Sequence, residues 1–236
     1  MSGTKHTGPT QITPNLFVVE RGANIFILKV NDTELVLIDT GIPGSCRLIL
    51  DAVKQLGYTP DAIKHILITH ADFDHVGSLH GLREATGAQV YAGEKSVPYI
   101  ESATAPPHVP FLLSLLTRPF QMLTQKKARV DHPVADGDVL DIAGGIQVLH
   151  TPGHTEDNVC YLWQQENILF APDLLGNLSG IGLMPAMITW DVTQARISAK
   201  RVLDLEPAII GVGHGPTVII AESEAEVAAF RESLRT

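Results

Sequence analysis

Apolar residues in the first forty positions come in short runs separated by turn formers. Residues 15–20, 23–30 and 34–39 are rich in Val, Ile, Leu and Phe, and Gly22 and Asn31-Asp32 stand between them. This pattern predicts three strands in an antiparallel meander. After Gly41-Ile42-Pro43-Gly44 the period changes. Leu48, Ile49, Ala52, Val53 and Leu56 recur at helical spacing in a segment starting near Ser45, and Gly57 stands where a helix would stop. A buried strand over 63–69, a short helix over 79–86 ended by Gly87, and a strand over 89–92 follow.

The second half alternates in the same way. Residues 139–142 and 146–150 read as a hairpin through Gly144-Gly145, and 159–163 with 167–171 as another. A glycine-bearing loop spans 176–185. A helix over 193–203, a strand over 208–212 and a closing helix over 223–234 complete the chain. Residues 94–132 resist a pattern. Residues 101–110 read as a loop, and the apolar stretch 111–123 as a helix broken around Arg118-Pro119. The N-terminal nine residues are polar and expected to fray.

Composition narrows the class. The chain has 236 residues, 44% hydrophobic and 18% charged, enough for one large domain with a real core. A formal charge of −9 argues against nucleic acid and against an anionic membrane surface as partners. No apolar leader and no bilayer-length apolar run is present, so the expectation is a cytoplasmic protein. Two cysteines, Cys46 and Cys160, cannot build a disulfide framework and read as small buried apolar residues.

The chemistry concentrates in Thr69-His70-Ala71-Asp72-Phe73-Asp74-His75-Val76-Gly77, directly after a predicted strand. His70, Asp72, Asp74 and His75 put imidazole and carboxylate donors within six residues, a set that suits zinc, iron or manganese. Gly77 is expected to let the backbone turn away afterwards. Further donors follow later strands: His154 in Thr151-Pro152-Gly153-His154-Thr155, Asp173 in Ala171-Pro172-Asp173, and His214 in Gly213-His214-Gly215. Asp39 closes an earlier strand in Leu37-Ile38-Asp39-Thr40-Gly41. The remaining histidines, His6, His65, His80, His108, His132 and His150, read as surface or satisfied core positions, with His108 set apart because it lies in the segment without a pattern.

These motifs, in this order, resemble the metallo-β-lactamase superfamily, whose signature is H-x-H-x-D-H followed by a His, an Asp or Cys, and a His. The resemblance runs from about residue 15 to 230. It departs at one place, where Asp72 stands for the second histidine of the signature. The resemblance implies an α/β fold, a four-layer αββα sandwich of two mixed sheets with helices on the outer faces, as a single domain over 1–236. It also implies that 94–132 forms a lid or insertion over the site. A helix packed on the sandwich, or a contact in a homodimer, is an equal alternative for that segment.

By the same resemblance, two divalent metal ions are expected. His70, Asp72 and His154 would hold the first, Asp74, His75 and His214 the second, and Asp173 would bridge them. Zinc is the first expectation, and the harder oxygen of Asp72 brings in iron or manganese. Asp74 is the candidate to orient a nucleophile or pass a proton, and Asp39 to orient ligand histidines; a turn-forming role for Asp39 stands beside it. The implied function is a metallohydrolase whose metal-bridging hydroxide attacks an ester, thioester, lactone or related acyl bond of a small molecule. The alternatives are an iron-dependent oxidoreductase of the same fold, in the manner of di-iron oxygen reductases or persulfide dioxygenases, and a metal-retaining binding protein without catalysis.

Overall fold

Alternation along buried strands decides which layer each side chain enters. The computed structural model describes residues 8–108 and 124–235. Its first sheet holds, in spatial order, β1 (Thr10–Thr13), β2 (Leu16–Arg21), β3 (Ala23–Asn31), β4 (Glu34–Ile38), β5 (Ile63–Ile68), β6 (Gln89–Gly93) and β7 (His132–Val134). The meander β2-β3-β4 is antiparallel, as the turn residues predict, and β4 to β7 pair in parallel. The second sheet runs β15 (Val218–Ile219), β14 (Ile209–Gly211), β11 (Ile168–Phe170), β10 (Val159–Trp163), β9 (Ile146–His150) and β8 (Val139–Leu140). Its β11 and β14 are parallel neighbours.

Both sheets are mixed and buried on two faces, which is why their strands read as continuous apolar runs. In β3, Ile25 and Ile27 face one cluster while Phe26 and Leu28 face another. In β10, Val159, Tyr161 and Trp163 join Phe26 and Leu28, and Cys160 and Leu162 point the opposite way. The shared cluster is the seam between the sheets. Outside the first sheet lie α1 (Cys46–Gln55) and α3 (Leu79–Thr86), which bury Ile49, Val53 and Leu82 against Ile66 and Val90. Outside the second lie α5 (Val192–Leu203) and α6 (Ile220–Ser233), with Ala199, Val202 and Val227 against Leu169 and Ile210. This is the four-layer αββα sandwich.

Several boundaries differ from the sequence reading. The strand β1 pairs with β2 at the edge, where Thr and Gln give no apolar signal. Helix α4 (Val97–Ser102) and strand β7 lie in the stretch that carried no pattern. The 176–185 loop carries a two-stranded ribbon, β12 (Leu175–Gly176) with β13 (Gly182–Leu183). The closing helix begins earlier than expected, and Ser223 kinks it. The expected broken helix over 111–123 lies outside the described residues. No helix among the described residues is long and apolar enough to cross a membrane.

Candidate metal centre

Parallel pairing of β4 with β5 brings Ile38 opposite Leu67, so the residues that follow each strand emerge side by side. Asp39 and the Thr69-His70 pair are those residues. Asp39 adopts φ +61°, a left-handed conformation uncommon outside glycine. Its carboxylate accepts the Thr69 amide at 2.9 Å and the Thr69 hydroxyl at 2.7 Å, and it lies 2.8 Å from His75 Nδ1. The Thr69 hydroxyl, having donated to Asp39, accepts from His70 Nδ1 at 3.1 Å. One fully buried carboxylate therefore turns two imidazoles so that each aims Nε2 into the same space.

The short helix α2 (Phe73–Val76) starts on Asp72, whose carbonyl accepts the amides of His75 and Val76. The Thr40 amide and hydroxyl both donate to the His75 carbonyl, which ties this helix to the end of β4. Gly77 acts differently from expectation. Its φ of −60° suits any residue. A Cβ there would stand 2.3 Å from Pro43 N and 2.4 Å from Phe73 O, so the missing side chain, not backbone freedom, is what the fold uses.

The later ligands come from the other sheet. His154 follows β9, and its carbonyl accepts the Trp190 amide at 2.8 Å. A Cβ on Gly153 would stand 2.4 Å from Ala195 Cα, so α5 presses directly on this loop. Asp173 follows β11 with φ +57°. A Cβ on Gly213 would stand 2.0 Å from Asp173 Oδ1, so that carboxylate occupies the space a side chain at 213 would take. Asn24 of β3 donates to the carbonyls of Val212 and Gly215 and thereby pins the His214 turn against the first sheet.

The structure thus brings together every residue proposed from the sequence as a ligand. Asp72 Oδ2 lies 3.2 Å from His154 Nε2 and 3.5 Å from His70 Nε2. Asp173 Oδ1 lies 3.5 Å from His75 Nε2, and Oδ2 lies 3.5 Å from His154 Nε2 and 3.3 Å from His214 Nε2. Asp74 Oδ2 lies 3.5 Å from His214 Nε2. Donors about 2.0–2.1 Å from a tetrahedral ion stand about 3.3 Å apart, so these separations are those of a coordination polyhedron's edges. His70 Nε2, His75 Nε2, Asp72 Oδ1 and Asp173 Oδ1 are buried and make no hydrogen bond. Such atoms are costly in a folded protein, and a bound cation would satisfy them. The donor set fits metal.

Without a cation the charges lean on one another. Burial opposes ionisation of Asp72, but the imidazoles of His108, His154 and His70 around it outweigh that cost and hold the carboxyl well below its usual range. Asp173 is held low against burial by the charge of His75 and a hydrogen bond from His214. Burial disfavours the charged form of His75, yet Asp173, Asp39 and Asp74 together raise its pKa well above the ordinary value.

Four of the histidines set aside lie outside this cluster. His65 faces Glu34 at 3.4 Å, His80 Nδ1 lies 2.9 Å from the Lys127 carbonyl, His132 stacks on Tyr91, and His150 Nε2 lies 3.1 Å from the Glu156 carbonyl. His6 lies outside the described residues. His108 does not share their position: its Nε2 is 3.1 Å from Asp72 Oδ2. The sequence also gave no sign of Asp157. This buried carboxylate accepts the Ala71 amide at 3.0 Å and the Ser96 hydroxyl at 2.7 Å, and so fixes the metal loop from the second sheet.

The family model for the metallo-β-lactamase superfamily matches residues 18–214. The chain belongs to the metallo-β-lactamase superfamily. Among its relatives is the uncharacterized protein YobT of Bacillus subtilis (strain 168), 31% identical over 220 residues that make up 86% of this chain and 85% of that protein. A hydroxyacylglutathione hydrolase of Rhodopseudomonas palustris (strain BisB18) is 34% identical over 128 residues, 54% of this chain and 38% of that longer protein. The crystal structure of the BLEG-1 B3 metallo-β-lactamase superposes with a TM-score of 0.71 at 28% identity, covering 89% of this chain and 96% of that one. The αββα architecture is the one expected for a superfamily member.

Proposed function

We propose that the chain is a metal-dependent hydrolase that opens an ester, thioester, lactone or related acyl bond of a small molecule. The reading rests on one observation above others: imidazole and carboxylate donors from both sheets converge, with His70 Nε2, His75 Nε2, Asp72 Oδ1 and Asp173 Oδ1 buried and unsatisfied. In this reading His70, Asp72 and His154 would hold one divalent ion, Asp74, His75 and His214 the other, and Asp173 would be shared. Bound ions of this kind supply Lewis acidity toward an acyl oxygen and lower the pKa of water toward neutrality.

The remaining chemistry falls to the chain. Asp74 is the most open carboxylate of the cluster, with 19% of its side chain exposed against 10% for Asp72 and 5% for Asp173. It is placed to orient an attacking water and to carry a proton to the leaving group. Asp39 is fully buried and acts through His75 and Thr69, as a positioning residue. Leu178, Met187 and Trp190 are exposed apolar side chains on the segments hydrogen-bonded to the His214 and His154 loops. They favour a substrate with an apolar acyl portion over a phosphorylated or nucleic-acid one. Hydroxyacylglutathione hydrolase, by its name, cleaves an acyl-glutathione conjugate, which makes thioesters a natural first member of the test panel. Residues 94–132 are read as an insertion over the site, supported by His108 reaching Asp72.

The test is a panel of aryl esters, lactones, acyl-glutathione thioesters and a chromogenic β-lactam, offered to protein reconstituted with zinc, manganese or iron. We expect acyl hydrolysis that is lost in His75→Ala while the circular dichroism stays native. Full activity in His75→Ala would overturn the ligand assignment. Asp72 favours one second reading, an iron-dependent oxidoreductase, because a carboxylate in place of imidazole suits a harder ion. An iron-bearing, coloured protein that consumes oxygen with a thiol substrate would establish that reading instead.

A further inference from the structure

His108 belongs to none of the ligand motifs, yet its imidazole is 7% exposed and its Nε2 faces Asp72 Oδ2 at 3.1 Å. Its other nitrogen, Nδ1, lies 3.0 Å from the Pro106 carbonyl oxygen, which can only accept. Nδ1 therefore carries the proton of that bond. A neutral ring so oriented presents a lone pair at Nε2 to a carboxylate oxygen, and two acceptors at that distance repel unless a cation stands between them. His75 is arranged alike, with Nδ1 on Asp39 and Nε2 left free for metal. Fixing one ring nitrogen by a hydrogen bond is the usual way a protein prepares the other for coordination.

The surroundings point the same way. Ligand atoms of Asp72, His108 and His154 all lie within 4.8 Å of one another. Asp72 Oδ2 has three imidazole nitrogens around it, from His108, His154 and His70, at 3.1, 3.2 and 3.5 Å. Asp72 Oδ1, buried beside them, makes no hydrogen bond. Three imidazole nitrogens crowding one oxygen while its twin makes no hydrogen bond is a poor hydrogen-bond arrangement and a good coordination cage.

We propose that His108 is a ligand of the first metal ion, supplying through Nε2 the imidazole that the signature lacks at position 72. The inference rests on the metal-centre reading above and extends it. The first site is then His70, Asp72, His108 and His154, with Asp173 shared. It retains a full complement of imidazoles while gaining one negative charge. The stretch between α4 and His108 becomes tied to metal occupancy. The rival arrangement is a doubly protonated His108 paired with Asp72 by charge alone.

Two measurements decide between them. In the zinc-loaded wild-type protein, side-chain 15N shifts of His108 should report a neutral ring, protonated at Nδ1 and metal-bound at Nε2. An imidazolium with both nitrogens protonated would overturn the proposal, and this reading needs no variant. In the dicobalt(II) protein, His108→Phe and His108→Gln should each lose one hyperfine-shifted imidazole N–H resonance and bind cobalt at the first site about 10-fold or more weakly. Unchanged resonances and affinity would overturn the proposal while leaving the metal centre standing. Wild-type protein that takes up neither zinc nor cobalt would overturn both.

Discussion

Asp39 shows how much one side chain can organise. It follows a strand and precedes Thr40-Gly41, so its place at a sheet end was legible in the sequence; that it orients ligand histidines was expected from the family resemblance, and that these are His75 and, through Thr69, His70 came from the structure. We predict that Asp39→Asn leaves the fold intact and weakens metal binding about 10- to 100-fold, read by competition with a chromogenic chelator. His108 was set apart in the sequence only by lying in the segment without a pattern, with no partner to name, and Asp157 was not legible at all. Each meets the metal loop through space, and a lone polar residue in a loop carries no local signal of its partner. Cys160 is simpler. Burial pushes its thiol up to about 12, partly offset by a hydrogen bond from Thr151. At pH 8 it should stay unmodified by a thiol reagent in native protein and react once the protein is unfolded; rapid native labelling of Cys160 would contradict its burial.

At the scale of elements, the inner strands of both sheets and helices α1, α3 and α5 were read to within a residue or two, because continuous runs and helical spacing each leave their mark. The edge strand β1, the short β7 and the ribbon β12–β13 were missed, since their pairing is set by partners rather than by their own residues. The seam between the sheets is the element-level feature on which the site depends. Phe26 is fully buried there, with its ring centroid 5.1 Å from that of Phe170. A Cβ on Gly211, next to the His214 turn, would stand 2.8 Å from Phe26 and 2.9 Å from Phe170. Phe26→Ala should cost about 3–5 kcal/mol in denaturant unfolding. Gly213→Ala should instead displace the Asp173 carboxylate and reduce metal content with a smaller loss of stability. Equal metal content in wild type and Gly213→Ala would show that Asp173 can shift without consequence.

The whole molecule is two sheets that close around a cluster of opposed charges, and that makes it sensitive to pH and to metal. His75 and His214 have raised pKa values in the metal-free protein, His75 despite its burial and His214 chiefly through its hydrogen bond to Asp173. Their contribution to stability is full below the unfolded value of about 6.5 and fades as pH rises through the raised folded values. Asp72 and Asp173 are lowered, so their contribution is full above about 3.9 and fades as pH falls through the depressed folded values. Metal-free protein should therefore gain most from these groups between about pH 4 and 6.5, and lose the histidine part of that gain as pH rises further. Metal must displace the imidazole protons, so its affinity should rise with pH over the same upper range, and loading should release protons and raise the melting temperature.

The most direct measurement is an anomalous difference map from crystals grown with zinc or manganese. The account predicts two peaks about 3.5–4 Å apart, both enclosed by His70, Asp72, Asp74, His75, His154, Asp173 and His214. A map with no peak among these residues, or with metal bound only elsewhere on the molecule, would contradict it.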